Sequence, residues 1–162
     1  MRKTLLAILG AATLAADLVA QGSAPPAVAA PSIYKSAAEV SAELDKADIV
    51  SMAGGAVSIY PGIWVRRRSA DSPQYAIMHP TSIEIYQIVD GSATLVTGGT
   101  LALPLTDSTP AFSRSNAIEG GTSRKVGKGD IIVTPPATPH WFSRIDGSVT
   151  YLEARIPVTD VK

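Results

Sequence analysis

The chain has two histidines, and each stands in a stretch that suits a metal ligand. His79 opens His79-Pro80-Thr81-Ser82-Ile83-Glu84, and Glu84 is the carboxylate of an otherwise apolar run ending near Val89. His140 closes a stretch that begins at Gly129 and contains Pro135, Pro136 and Pro139. Two imidazoles and one carboxylate make a donor set that holds a divalent ion and leaves coordination positions open. The competing reading is two half-buried histidines satisfied by hydrogen bonds, with Glu84 facing solvent or paired to an arginine. A carboxylate turned into an apolar interior is costly unless it is paired or metal-bound, so the choice depends on whether the three side chains meet.

The elements that position them read as all-β. Thirteen glycines and twelve prolines separate short runs rich in Val, Ile, Thr and Tyr, the pattern of many strands and turns. Strands are expected over residues 56–60, 63–68, 75–79, 84–89, 93–97, 123–126, 131–134, 140–144 and 148–155. Asp90-Gly91 is a tight hairpin signal. The stretch 103–123 reads as a long loop, part of an insertion running from Ser92 to Lys128 that suits a lid or an intersubunit contact. Ahead of the strands, Ser36-Ala37-Ala38-Glu39 matches a capping box and predicts a short helix over residues 37–47 that covers one face of the strands.

Strand parity then groups the side chains, because residues two apart share a face. If Glu84 points inward, so do Tyr86 and Ile88. His79 brings Ile77 and Tyr75, and His140 brings Phe142 and Arg144. The expected pocket is therefore Tyr75, Ile77, Tyr86, Ile88 and Phe142 around a small polar cluster, the usual construction of a small-molecule site. Tyr86 shares the face of Glu84, and these two are the candidate catalytic pair, with the Tyr86 hydroxyl as donor or acid. Within Arg66-Arg67-Arg68 the alternation sends Arg67 to one face and Arg66 and Arg68 to the other, without saying which is inner. An inward arginine would hold a substrate carboxylate.

Several classes are excluded. Fourteen Lys+Arg balance fourteen Asp+Glu, so no nucleic-acid footprint is present. There is no cysteine, hence no thiolate ligand and no disulfide. Arg2-Lys3 followed by the apolar stretch 4–16 reads as a secretory signal with small-residue cleavage sites at Ala27-Val28-Ala29 or Gly22-Ser23-Ala24. The apolar run breaks at Asp17, short of a membrane span. The expected organisation is a signal peptide over 1–29, a lead-in and short helix over 30–55, and a barrel over 56–157. The protein is expected to be exported, periplasmic or secreted, with no stable membrane span after processing.

The two histidine stretches resemble the paired motifs of the cupin superfamily. The first is His-x-His, a few residues, Glu, six residues, Gly; here His79, Glu84 and Gly91 match. The second is Gly, five residues, Pro-x-Gly, two residues, His; here Gly129, Pro135 and His140 match, with Ala137 in place of glycine. The resemblance implies a double-sheet jelly-roll barrel, a metal held by His79, Glu84 and His140, a small-molecule substrate or ligand, and a homodimer. One departure stands out: Ile77 occupies the position of the first motif histidine, so three of the family's four ligands remain. Such a site suits Zn, Mn or Fe and either O₂-dependent cleavage (a dioxygenase) or redox-neutral isomerase or lyase chemistry. The alternative is a non-catalytic small-ligand-binding or storage cupin with a degenerate metal site. By the metal reading alone, Glu84→Gln abolishes activity while the melting temperature of the metal-free form stays nearly intact.

Overall fold

The computed structural model describes residues 29–47 and 54–159, and all its elements fall in the unit Ser32–Lys162. The expected signal peptide lies, but for residue 29, outside the described residues. Among the described residues no helix is long and apolar enough to cross a membrane.

One helix, α1 (Ala37–Lys46), precedes the strands β1 (Gly55–Tyr60), β2 (Ile63–Ser69), β3 (Ala76–Met78), β4 (Ser82–Thr97), β5 (Thr100–Leu101), β6 (Asp107–Ser108), β7 (Ser113–Ser115), β8 (Ile118–Glu119), β9 (Thr122–Gly127), β10 (Ile131–Thr134) and β11 (His140–Pro157). The capping box forms as expected. Ser36 Oγ accepts from Glu39 N, and the Glu39 carboxylate accepts from Ser36 N at 2.7 Å. Leu44 is fully buried where α1 meets β1 and β2, and Asp45 ties the helix down by accepting from Arg67 Nη1 at 2.7 Å.

The architecture comes from one long antiparallel ribbon. β4 and β11 pair along nearly their whole lengths, from His140 against Thr97 to Pro157 against Ser82. The outer part of the ribbon, Ser82 to Gly91 with Val149 to Pro157, carries β10 on one side and β2 and then β1 on the other. The inner part, Ala93–Thr97 with His140–Ile145, carries β9 on one side and β3, β7 and β6 on the other. The ribbon bends between the two parts, so two sheets share the same pair of strands. The core lies between them: Tyr86, Ile88, Val149 and Tyr151 from one, Ala93, Leu95, Val126, Phe142 and Ile145 from the other. This is the all-β, double-sheet fold expected from the motifs.

The bend corrects several sequence readings. Asp90-Gly91 is not a hairpin, because the strand continues through it within β4. Gly91 has φ +76°, and a Cβ there would lie 2.0 Å from the Ser148 carbonyl oxygen. The glycine therefore lets two backbones cross closely while the ribbon folds over. The stretches 140–144 and 148–155 are likewise one strand, kinked where the register slips between Ile145 and Val149. A second slip, between Phe142 and Arg144, inserts one residue. Such a bulge reverses side-chain parity beyond it. Ile145 accordingly enters the core in place of Arg144, which is exposed. The region 103–123 is not a simple loop: its short strands β6 and β7 extend the second sheet alongside β3, and β8 pairs with β5.

Candidate metal centre

Three elements bring the site together. His79 follows directly on β3, Glu84 and Tyr86 lie on β4, and His140 opens β11. The second-motif turn is tied to the first motif through its backbone: Ala137 N donates to His79 O at 2.9 Å. Ala137 has φ +57°, the left-handed region that favours glycine. That explains why the family motif carries glycine there, and it marks a locally strained turn in this chain.

His79, Glu84 and His140 are all buried, with candidate ligand atoms within 4.8 Å of one another. His79 Nδ1 donates to the Ala111 carbonyl at 3.0 Å, and His140 Nδ1 donates to the Thr138 carbonyl at 3.1 Å. A carbonyl can only accept, so both Nδ1 atoms carry protons, and in the neutral rings both Nε2 atoms are bare. Anchoring one ring nitrogen on a carbonyl so that the other presents its lone pair is the usual arrangement around a metal-ligating histidine. His79 Nε2 is buried, has no hydrogen-bond partner, and lies 3.3 Å from Glu84 Oε1. His140 Nε2 lies 2.8 Å from Glu84 Oε2. Two acceptors that close repel unless a cation, a proton or a metal ion, sits between them. The donor set and its orphaned imidazole nitrogen thus fit a divalent ion at nitrogen and oxygen bond lengths of ~2.0–2.2 Å.

Arg155, on β11, was not singled out from the sequence, and it completes the charge balance. Its Nε donates to Glu84 Oε1 at 2.8 Å, and its Nη2 donates to Glu153 Oε1 at 2.8 Å. Glu153 also pairs with Arg66 Nε at 2.5 Å. Burial opposes the charge on Glu84, but His140 in its protonated form, which donates from Nε2, together with protonated His79 and with Arg155, outweighs it and holds the carboxyl down at about 2. Burial pushes the His79 imidazole below its ordinary value, against the pull of Glu84. Burial and the neighbouring carboxylates Glu84 and Glu153 raise the Tyr86 phenol well above its usual range. Tyr86 therefore keeps its proton, and it donates to Glu84 Oε2 at 3.0 Å with its oxygen 3.0 Å from His140 Nε2.

A cavity of about 300 Å³ opens onto the cluster. Of the expected pocket residues, Tyr75, Ile77, Tyr86 and Phe142 line it, whereas Ile88 does not and packs in the core. Gln74 also reaches the lining but is engaged by the Ser69 and Ser72 carbonyls. The arginine run resolves cleanly: Arg66 and Arg68 face the cavity, and Arg67 turns outward to Asp45. The insertion contributes Phe112, edge-on to the His79 ring at 6.2 Å, and Arg114. The Arg114 signal was lost once its segment was read as loop. Arg155 and Glu153 were legible in principle, since Tyr151, Glu153 and Arg155 share one face of β11.

The ribbon folded into two sheets and the buried His–Glu–His cluster agree with the all-β, double-sheet architecture that the motif resemblance implies. No family model matches the sequence, and no curated protein does. Among solved structures, the chain is similar to the DMSP lyase DddQ of Ruegeria pomeroyi DSS-3, at 22% identity over 62% of this chain and 40% of that one, TM-score 0.41. It is also similar to FeII HppE, at 14% identity over 59% and 44%, TM-score 0.43. A third is the oxalate decarboxylase of Lactobacillus farciminis in its formate complex, at 16% identity over 59% and 25%, TM-score 0.37. The chain spans less than half the length of each of these proteins.

Proposed function

We propose that the protein is a metal-dependent, small-molecule-binding cupin whose divalent ion is held by His79, Glu84 and His140, and that it acts as a dioxygenase, isomerase or lyase. The observation that carries this reading is the pair of imidazoles whose Nδ1 protons are fixed on carbonyls while both Nε2 atoms converge on one carboxylate. Zn, Mn or Fe held there would supply a Lewis acid with coordination positions left open to a ligand.

The protein's own groups account for the rest of the chemistry. Arg155 holds Glu84 Oε1, which orients Oε2 toward His140. Tyr86 keeps a proton at its hydroxyl beside Glu84 Oε2 and His140, where it can be given to an oxygen of a bound molecule. Phe112, Phe142 and Ile77 supply apolar wall, which limits water at the site and strengthens the electrostatics within it. Export to the periplasm or beyond, on the signal-like N-terminal sequence, and a homodimeric state, on the family resemblance alone, belong to the same proposal.

One observation favours a second reading, the metal-free binding barrel. Glu84 already has Arg155 as a counter-ion, so its burial does not require a metal. Elemental mass spectrometry of untagged residues 30–162 decides between the two, with wild type compared against His140→Ala. About one equivalent of a transition metal, lost in the variant, supports the metal site. Absence of metal after anaerobic addition of Zn²⁺, Mn²⁺ or Fe²⁺ leaves the metal-free barrel.

A further inference from the structure

Across the second sheet, the strand register lines up three residues. His140 on β11 is the Cα partner of Ile77 on β3, and Ile77 is the Cα partner of Arg114 on β7. Directly opposed residues of an antiparallel pair present their side chains on one face. Neighbouring strands lie ~4.8 Å apart, so the Arg114 backbone stands about 10 Å from that of His140, with Ile77 between. All three line the same cavity.

Arg114 is held in a particular way. Its guanidinium lies over the Tyr75 ring at 4.7 Å and the Phe112 ring at 4.4 Å, so aromatic faces fix its plane and leave its N–H edge for acceptors. The acceptor side is incompletely answered. Asp107 Oδ2 is 3.6 Å from Nη1 and belongs to a half-exposed side chain, while Arg114 Nε is buried and has no hydrogen-bond partner. Arg66 Nε and Arg68 Nε are likewise buried without a well-aligned hydrogen bond, but each guanidinium is otherwise answered: Arg66 has the Glu153 carboxylate at 2.5 Å, Arg68 Nη2 donates to the Pro73 carbonyl at 3.2 Å, and Arg155 is matched by Glu84 and Glu153 at 2.8 Å. A buried guanidinium N–H without an acceptor is costly in a finished structure. It becomes favourable when a ligand oxygen supplies the missing bond, and a carboxylate matches the fork best.

We propose that the cavity binds a small organic acid, with its carboxylate on Arg114, its carbon skeleton across Ile77, and a second oxygen donor at the His79–Glu84–His140 cluster. The second contact rests on the metal reading above; the carboxylate contact does not. Ile77 then has a positive role. A fourth metal ligand there would fill the ground between cluster and arginine, whereas an aliphatic side chain leaves an apolar bridge over which a short acid can lie.

The test is isothermal titration calorimetry of the metal-free and zinc-reconstituted protein. The probes are glycolate, lactate, malate and 2-oxoglutarate, each beside its uncharged amide, with zinc uptake measured on the same samples. At least one acid is expected to bind the metal-free wild type and to bind more tightly once zinc is present, while its amide binds neither form. Arg114→Gln weakens acid binding by at least about tenfold in both forms. Arg114→Lys recovers part of the loss, since it keeps the charge but not the planar fork. Circular dichroism confirms that both variants fold, and the acid–amide comparison on wild type stands without them. Equal binding by Arg114→Gln and wild type, equal binding of an acid and its amide, or no binding of any acid overturns the proposal. Failure of zinc uptake with the Arg114 dependence intact overturns the metal reading and leaves the acid site standing.

Discussion

Replacing Glu84 with glutamine in the metal-free protein separates the structural duty of this carboxylate from its chemical one. The metal reading on its own expects the melting temperature of that form to stay nearly intact, but the ion pairs found here predict otherwise. Glu84 is 1% exposed and is held from its ordinary 4.5 down to about 2. That depression corresponds to roughly 3 kcal/mol of folding stability at neutral pH. Arg155 retains Glu153 at 2.8 Å after the substitution, which places the cost at the lower end of the ~3–5 kcal/mol typical of breaking a buried pair. The melting temperature should fall by on the order of 10 °C. Because the folded pKa lies below the unfolded one, the contribution is fully present above pH 4.5 and disappears as pH falls toward about 2. The assay is urea denaturation in EDTA, followed by the fluorescence of Trp64 and Trp141, on both proteins from pH 7 to pH 3. His79, whose own pKa is lowered by burial, removes stability from both proteins as pH drops below 6.5, and more from Glu84→Gln, which lacks the carboxylate that pulls His79 back up. The diagnostic window therefore lies below pH 4.5, where the gap between wild type and Glu84→Gln closes. A gap smaller than about 1 kcal/mol at pH 7, or one that does not narrow on acidification, refutes the reasoning.

Other substitutions probe neighbouring parts of the site. Ile77→His puts a third imidazole on the face that His140 presents to the cavity. It should tighten zinc binding by at least about tenfold in competition with a chromophoric chelator, and unchanged affinity would show that position 77 does not reach the cluster. Ala137→Gly removes the left-handed strain at φ +57°, worth ~1–2 kcal/mol for an L residue. The greater freedom of glycine in the unfolded chain offsets part of this, so urea denaturation should show a net gain of about 1 kcal/mol or less. A loss of stability there would count against strain at Ala137.

The division between what was legible in the sequence and what was not follows the range of the interactions. The capping box of α1 is local, and it formed between the expected residues. The alternation through Glu84, Tyr86 and Ile88 is likewise local, and all three are buried. Asp90-Gly91 misled because the same dipeptide serves a hairpin or a fold-over of a continuing ribbon. Only the partner strand decides, here through the approach of Ser148. Arg144 misled for a related reason, since one inserted residue in β11 reverses parity and no sequence signal announces it. Reading 103–123 as loop concealed Arg114 on β7 and, just before that strand, the Ala111 carbonyl and Phe112, because β7 pairs with β3, about 37 residues back in the chain.

The two carboxylate oxygens of Glu84 connect these observations. Oε1 faces Arg155 and His79; Oε2 faces Tyr86 and His140. A divalent ion held by His79, Glu84 and His140 would take the place of whatever proton His140 shares with Oε2, and the contact between Arg155 and Oε1 would not have to break. Metal uptake should therefore release protons, while the ladder Glu84–Arg155–Glu153–Arg66 stays in place as the rigid back wall. Under the proposed metal reading, such an arrangement would tolerate loss of the first motif histidine. The carboxylate is oriented by a fixed arginine instead of by a crowded ligand set, and the imidazoles are oriented by backbone carbonyls on two separate segments. The position freed at Ile77 lies between the cluster and Arg114, where a ligand rather than another side chain would complete the polar contacts.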